Sequence, residues 1–192
     1  VPGAPGPRAG GVAADHPGLP ITLSSEVSPE MREYERFSTA CANAYVQPLM
    51  TSYLERLAAE LKRRGFGCPL YLMTSGGGLT TLETARRFPV RLVESGPAGG
   101  AILSAGLARE NALDEVLSFD MGGTTAKICL IDDGEPLKGR VFEIDRQSRF
   151  KKGSGMPVSI PVIEMVEIGA GGGSIATVDS MRQIRVGPES AG

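Results

Sequence analysis

The stretch Ser118-Phe119-Asp120-Met121-Gly122-Gly123-Thr124-Thr125-Ala126-Lys127-Ile128-Cys129-Leu130-Ile131-Asp132 constrains the fold more than any other part of the chain. Val116, Leu117 and Phe119 lead in, an acid closes the run, two glycines and two hydroxyls follow, and a second β-prone run leads out. That order predicts strand, tight turn, strand. Gly122 and Gly123 accept positive φ, so their N–H groups are expected to converge on phosphate oxygens as a small anion nest, with Thr124 and Thr125 adding hydroxyl donors. Asp120, at the end of the strand, suits a carboxylate that holds magnesium through water or orients an attacking water. An ordinary hairpin with a Gly-Gly turn uses the same residues, and the stretch by itself leaves both readings open.

Glycine supplies 26 of the 192 residues, about twice its usual share, and the excess gathers after or between apolar runs. Residues 69–75 predict a strand entering Gly76, Gly77 and Gly78, then a short helix capped by Thr80 and ending at Arg87. Strand, glycine loop, helix brings backbone N–H groups to a ligand. Residues 90–93 predict another strand, followed by Glu94-Ser95-Gly96-Pro97 and a helix over 97–109 whose alanines let another backbone come close. A strand over 161–168 runs into Gly169-Ala170-Gly171-Gly172-Gly173-Ser174, and β character resumes at 175–179. This loop is no dinucleotide fingerprint, because Ser174 takes the place of the last glycine and a strand follows; no Walker G-K-[ST] occurs anywhere. It is expected to close over a phosphate or substrate. The cofactor-binding candidates are therefore Gly76, Gly77, Gly78, Ser95, Gly96, Gly122, Gly123, Thr124, Thr125, Gly171, Gly172 and Gly173, with Asp120 as catalytic acid and metal ligand.

Residues 1–20 place Pro2, Pro5, Pro7, Pro17 and Pro20 among glycines and alanines, which predicts a disordered segment ahead of a core over 21–192. Residues 21–26 alternate as a short strand. Ser28 as N-cap, Pro29 at the first helical position and Glu30 in the first turn predict a helix running to Arg64, stopped by Gly65 and Gly67. Tyr45, Leu49, Tyr53 and Leu57 recur at spacing four beside Leu54 and Leu61, predicting one buried stripe. Pro48 predicts a kink or a break into two helices near Val46. Residues 132–135 predict a turn, 137–152 a polar, basic strand pair with a solvated face, and 187–192 a loop.

A net charge of −2 with acids and bases intermixed excludes the electrostatic footprint of nucleic-acid or anionic-membrane binding. No apolar run reaches the ~18 residues of a membrane span. Cys41, Cys68 and Cys129 lack C-x-x-C spacing and are odd in number, which points to a reduced, cytoplasmic setting. His16 is the sole histidine, so a histidine-rich metal site or a Ser-His-Asp triad is not expected.

Together the blocks Leu23-Ser24-Ser25-Glu26-Val27-Ser28-Pro29-Glu30, Arg32-Glu33-Tyr34-Glu35-Arg36, Asn43-Ala44-Tyr45, Met73-Thr74-Ser75-Gly76-Gly77-Gly78, Glu94-Ser95-Gly96-Pro97-Ala98-Gly99, Phe119-Asp120-Met121-Gly122-Gly123-Thr124-Thr125 and Glu164-Met165-Val166-Glu167-Ile168-Gly169-Ala170-Gly171-Gly172-Gly173-Ser174 resemble the hydantoinase A and 5-oxoprolinase family. The resemblance covers about residues 20–192. It implies part of an actin-like, ribonuclease-H-like α/β ATPase fold, with a long helical segment preceding the nucleotide-binding lobe. It also implies ATP and Mg2+ as cofactors, a cyclic amide as substrate, and a hydantoinase B-type partner subunit. The implied chemistry is phosphorylation of a carbonyl oxygen before attack by a nucleophile; related subunits serve ketone carboxylases. The family's earlier D-x-G-G-T hairpin is absent, which implies an internal fragment that by itself is a non-catalytic nucleotide-binding module. Many relatives carry an acid where Lys127 stands, so no acid–base role transfers there.

Overall fold

The computed structural model describes residues 11–12, 14–148 and 151–191. They form a mixed helix-and-sheet structure, as an α/β chain should, and divide into two units: Val1–Ser95 with Arg140–Val162, and Gly96–Gly139 with Ile163–Gly192. Of the segment 1–20 expected to be disordered, residues 1–10 and 13 lie outside the described residues, while 11–12 and 14–15 are helical and the His16 N–H donates to the Val12 carbonyl at 2.9 Å. In chain order the strands are β1 (Tyr71–Met73), β2 (Leu79–Thr81), β3 (Glu115–Met121), β4 (Ala126–Asp132), β5 (Glu135–Pro136), β6 (Lys138–Gly139), β7 (Phe142–Ile144), β8 (Met156–Val158), β9 (Val162–Ile163), β10 (Val166–Ile168), β11 (Ser174–Val178) and β12 (Ile184–Ser190).

The first unit is built on the helix Glu33–Arg63, which ends where Gly65 turns to φ +84°. Its expected start at Ser28 is corrected: Arg32 precedes the first turn and no side chain caps it. Tertiary contacts hold the approach instead, since Ser28 is buried, Ser159 Oγ donates to Glu30 Oε2 at 3.0 Å, and Arg36 reaches the Glu30 carbonyl. Nor does Pro48 break the helix, which passes through it as a single element.

The expected buried stripe is also corrected: Tyr45, Leu49 and Tyr53 are exposed, while Ser38, Thr39, Asn43 and Leu54 are buried. The inward face is a polar seam. Thr39 Oγ1 accepts the Ser159 N–H at 2.7 Å, Asn43 Nδ2 donates to the Arg87 carbonyl at 3.0 Å, and Asn43 Oδ1 accepts the Val90 N–H at 3.2 Å. Gln47 and Thr51 both donate to the Arg86 carbonyl. These side chains satisfy the last carbonyls of the helix Leu82–Arg87 and N–H groups at Val90 and Ser159 that no strand partner reaches. The apolar core of this unit gathers elsewhere, around Val27, Val90, Val158, Ile160 and Val162.

Three further expectations change in this unit. Residues 21–26 form no strand: Ser24–Val27 is one helical turn, and Thr22 is tied by its hydroxyl to Asn43 rather than to a neighbouring strand. Residues 90–93 lie in and just after a 3-10 turn, Pro89–Leu92, because Pro89 favours a helical start and the neighbouring carbonyls are used singly, by Ser75. The predicted strand pair within 137–152 is replaced by β7 pairing with β8, Phe142 opposite Val158.

The second unit centres on an antiparallel sheet in the order β10-β4-β3, with β5 also paired to β4. β3 and β4 pair from Glu115 opposite Asp132 to Met121 opposite Ala126, and Asp133 and Gly134 take positive φ to turn β4 into β5. The helix Ser95–Glu110 covers one face: Ala98, Ala101 and Ala105 pack on Cys129, Ile131 and Ile163. Small residues in the helix thus serve close packing on a sheet. Leu117, Phe119, Met121, Leu130 and Val166, on the opposite face by alternation, are exposed. The strand predicted over 161–168 is interrupted at Glu164 and Met165, and the loop predicted over 187–192 is instead largely β12, which pairs with β11.

Candidate functional site

The central hairpin forms where the sequence places it, but its turn works differently from the predicted nest. Neither Gly122 nor Gly123 takes positive φ, and the Gly122 N–H donates to the Thr125 carbonyl at 2.9 Å. The turn closes on itself through that bond. The N–H groups of Gly123, Thr124 and Thr125 and both threonine hydroxyls have no partner among the described residues, and Gly122, Gly123 and Thr124 are exposed. One turn thus carries five donors without a partner among the described residues, two of them on the half-buried Thr125.

The third glycine loop holds this turn. Gly172 N–H donates to the Gly122 carbonyl and Gly173 N–H to the Gly123 carbonyl, each at 2.9 Å. Gly171 N–H donates to Ser174 Oγ at 3.0 Å, and Ser174 N–H returns to the Gly171 carbonyl at 2.9 Å. All three glycine N–H groups are thus engaged within the protein, and the carbonyls they polarise belong to the hairpin turn. Gly171 needs its missing side chain: a Cβ there would lie 2.6 Å from the Gly122 oxygen and 2.7 Å from Gly123 backbone atoms. Behind the loop, Ala191 N–H and Ser190 Oγ both donate to the Gly173 carbonyl.

Asp120 is exposed near the end of β3 and stands opposite Lys127 on β4, which in turn stands opposite Glu167 on β10. Lys127 Nζ lies 4.0 Å from Glu167 Oε1, so it neither points to open solvent nor stands alone. Sequence reasoning had no signal for Glu167 except its acid character in a strand. Burial pushes the Cys129 thiol above its ordinary value, so it packs the core and makes a poor nucleophile.

Gly76, Gly77 and Gly78 belong to the first unit and form a β-hairpin turn, not a strand-to-helix loop: β1 pairs with β2, and the helix Leu82–Arg87 follows β2 with Thr81, not Thr80, as its cap. Each glycine there has a local duty or room to spare. Gly77 takes φ +79°, and a Cβ on Gly76 would crowd Pro161 at 3.1 Å. Ser75 is buried, its N–H and hydroxyl both directed to the Arg91 carbonyl at 2.8 Å. Ser95 and Gly96 open the helix Ser95–Glu110 in its first turn, two residues earlier than expected, just after Glu94 at φ +60°.

Do these residues suit a nucleotide and its metal? N–H and hydroxyl donors without partners suit phosphate oxygens. Among the described residues no group of three or more His, Cys, Asp or Glu side chains gathers as a metal cage. Magnesium usually binds through one or two carboxylates plus substrate phosphates, so the single carboxylate of Asp120 beside the turn would fit such an ion. No helix among the described residues is long and apolar enough to cross a membrane, and all three cysteines are free.

Residues 36–192 match the hydantoinase/oxoprolinase family. The chain belongs to that family. A functionally unassigned family relative from Methanocaldococcus jannaschii is 43% identical over 90% of this chain and 26% of its own length. The caprolactamase alpha subunit of Pseudomonas jessenii is 35% identical, and the crystal structure of that organism's ATP-dependent caprolactamase superposes with a TM-score of 0.71 over 94% of this chain and 25% of that one. The nucleotide-free structure of an ATP-dependent acetone carboxylase gives a TM-score of 0.71 at 25% identity, over 96% of this chain and 24% of that one. The chain therefore spans about a quarter of the length of these relatives.

Proposed function

We propose that this chain is the phosphate-gripping part of a subunit of an ATP-dependent cyclic amide hydrolase, of the hydantoinase and oxoprolinase type, with an actin-like nucleotide-binding lobe. The observation that carries the reading is the hairpin turn Gly122-Gly123-Thr124-Thr125, tied down by Gly172 and Gly173 and presenting five unpartnered donors. Similarity to the caprolactamase subunit supplies the substrate class, since caprolactam is a cyclic amide.

Bound ATP would supply a transferable phosphoryl group that turns an amide oxygen into a leaving group. The chain's own contribution is positioning and charge neutralisation, which carry most of the catalysis in phosphoryl transfer. Gly123, Thr124 and Thr125 hold phosphate oxygens by N–H and hydroxyl, while Gly171, Gly172 and Gly173 keep the turn from yielding. Asp120 holds Mg2+ through water or orients the attacking group. Gly76, Gly77, Gly78, Ser95 and Gly96 are proposed as further nucleotide-binding residues of the full-length protein. The working enzyme is proposed to be cytoplasmic and to pair with a hydantoinase B-type subunit.

The test is ATP binding and turnover by the full-length protein and by Asp120→Ala. Loss of turnover by roughly a hundredfold or more in the variant is the expected result; equal activity in both would sink the reading. A ketone carboxylase subunit is the second reading, favoured by the equal TM-score to acetone carboxylase. Bicarbonate decides between them: ATP consumption that needs bicarbonate and a ketone, and ignores lactams and hydantoins, selects the carboxylase.

A further inference from the structure

Three laterally paired residues carry alternating charge across the second unit's sheet: Asp120 on β3, Lys127 on β4 and Glu167 on β10. Laterally opposed residues project from the same face, with Cβ atoms about 4.5–5.5 Å apart. By alternation that face also carries Cys129 and Ile131, which pack on Ala98, Ala101 and Ala105. Within the row Asp120 and Glu167 are exposed, whereas the Lys127 side chain is only 15% exposed, its ammonium 4.0 Å from Glu167 Oε1. A cation so far withdrawn from water is stable only beside anions.

β3 and β10 flank β4 at about 9.5 Å from each other, two strand spacings. An aspartate and a glutamate reaching inward across that gap can share a divalent ion at bonds of about 2.1 Å. Lys127 rises from the strand between them. We propose that Lys127 is a resident counter-cation that keeps a divalent metal from settling between Asp120 and Glu167, so that metal enters the site only with nucleotide phosphates. This rests on the phosphate-binding reading of the hairpin. It makes Lys127 a positioning residue for the metal, and Glu167 the second carboxylate that a metal would reach if the ammonium were gone.

The experiment measures Mn2+ binding to the full-length protein by electron paramagnetic resonance, without nucleotide, alongside binding of a fluorescent ATP analogue. Wild-type protein is expected to bind Mn2+ weakly. Lys127→Met, which keeps the apolar stem, and Lys127→Gln, which keeps a polar head, are each expected to bind it at least tenfold more tightly. Adding Glu167→Gln to either variant should return binding to the wild-type level. Unchanged Mn2+ affinity in both single variants, or tight binding that survives Glu167→Gln, overturns the role of Lys127 while leaving nucleotide binding intact. Failure of the wild-type protein to bind the ATP analogue overturns the phosphate reading itself, and this proposal with it.

Discussion

The Gly173 N–H donates to the Gly123 carbonyl at 2.9 Å, and with the parallel bond from Gly172 to Gly122 it ties two stretches fifty residues apart into one rigid loop pair. The closeness of that pairing has a measurable consequence. Gly171→Ala would place a methyl carbon 2.6 Å from the Gly122 oxygen, against backbone that cannot rotate away, whereas Gly172→Ala would meet the same oxygen at 3.7 Å, an ordinary contact. Overpacking of this kind costs about 1–3 kcal/mol. In the full-length protein Gly171→Ala is expected to weaken ATP-analogue binding tenfold or more and Gly172→Ala to change it less than threefold, by fluorescence titration.

Asn43 anchors the polar seam of the long helix. It is fully buried and bonded to Thr22, to the Arg87 carbonyl and to the Val90 N–H. Asn43→Ala would leave the buried Val90 N–H without a partner, at a cost of roughly 1–3 kcal/mol, and remove a bond from the part-buried Arg87 carbonyl. Thermal melting should show a lower transition for the variant, and amide exchange should accelerate at Val90. Leu49→Ala, on the exposed side of the same helix, should change neither.

Much of this was legible from local chemistry. The acid, glycines and hydroxyls of 120–125 placed the hairpin, Gly65 placed the end of the long helix, and the alanine spacing of 98–108 placed the covered helix face. The inward face of the long helix was not legible, because apolar periodicity searches for oil and this face is Thr39, Asn43, Gln47 and Thr51 answering backbone groups, mostly the last carbonyls of the helix Leu82–Arg87. The β-branched run at 90–93 looked like a strand, yet Val90 and Arg91 have their backbone groups taken by Asn43 and Ser75, leaving no ladder to join. Gly171 was expected in a loop closing over a phosphate or substrate, and what it supplies in the structure is close approach to the Gly122 and Gly123 backbone. The Asp120–Lys127–Glu167 row depends on strand register, which no single segment encodes.

Asp179 makes the β11–β12 hairpin acid-sensitive. Its carboxyl lies below the ordinary value chiefly because the Gln183 N–H donates to it, with Arg185 and the Met181 N–H adding and desolvation opposing. A carboxylate depressed on folding contributes stability above its unfolded pKa, and that contribution disappears as pH falls through the folded value. Amide exchange at Met181 and Gln183 should therefore speed up, beyond the intrinsic pH trend, only below the ordinary aspartate range of about 4. Asp179→Asn should abolish the transition and exchange faster at neutral pH.

The uncovered face of the second unit's sheet predicts how this 192-residue stretch behaves by itself. Leu117, Phe119, Met121, Leu130 and Val166 share that face and are each more than half exposed, an apolar patch of the kind that marks an interface or an aggregation risk. Phosphate donors here come from a single D-x-G-G-T-T hairpin, and a site of this type gains its strength from opposing donors in a closed, water-poor cleft. The isolated stretch is therefore expected to bind a hydrophobic dye, to associate at micromolar concentration and to show no ATP-dependent hydrolysis of lactams or hydantoins. Phe119→Ser with Leu130→Ser should lower dye binding and association while leaving hairpin amide exchange unchanged, since both side chains point away from Ala98, Ala101 and Ala105. Steady lactam turnover by the isolated stretch, lost in Asp120→Ala, would mean that the hairpin needs no opposing donors at all.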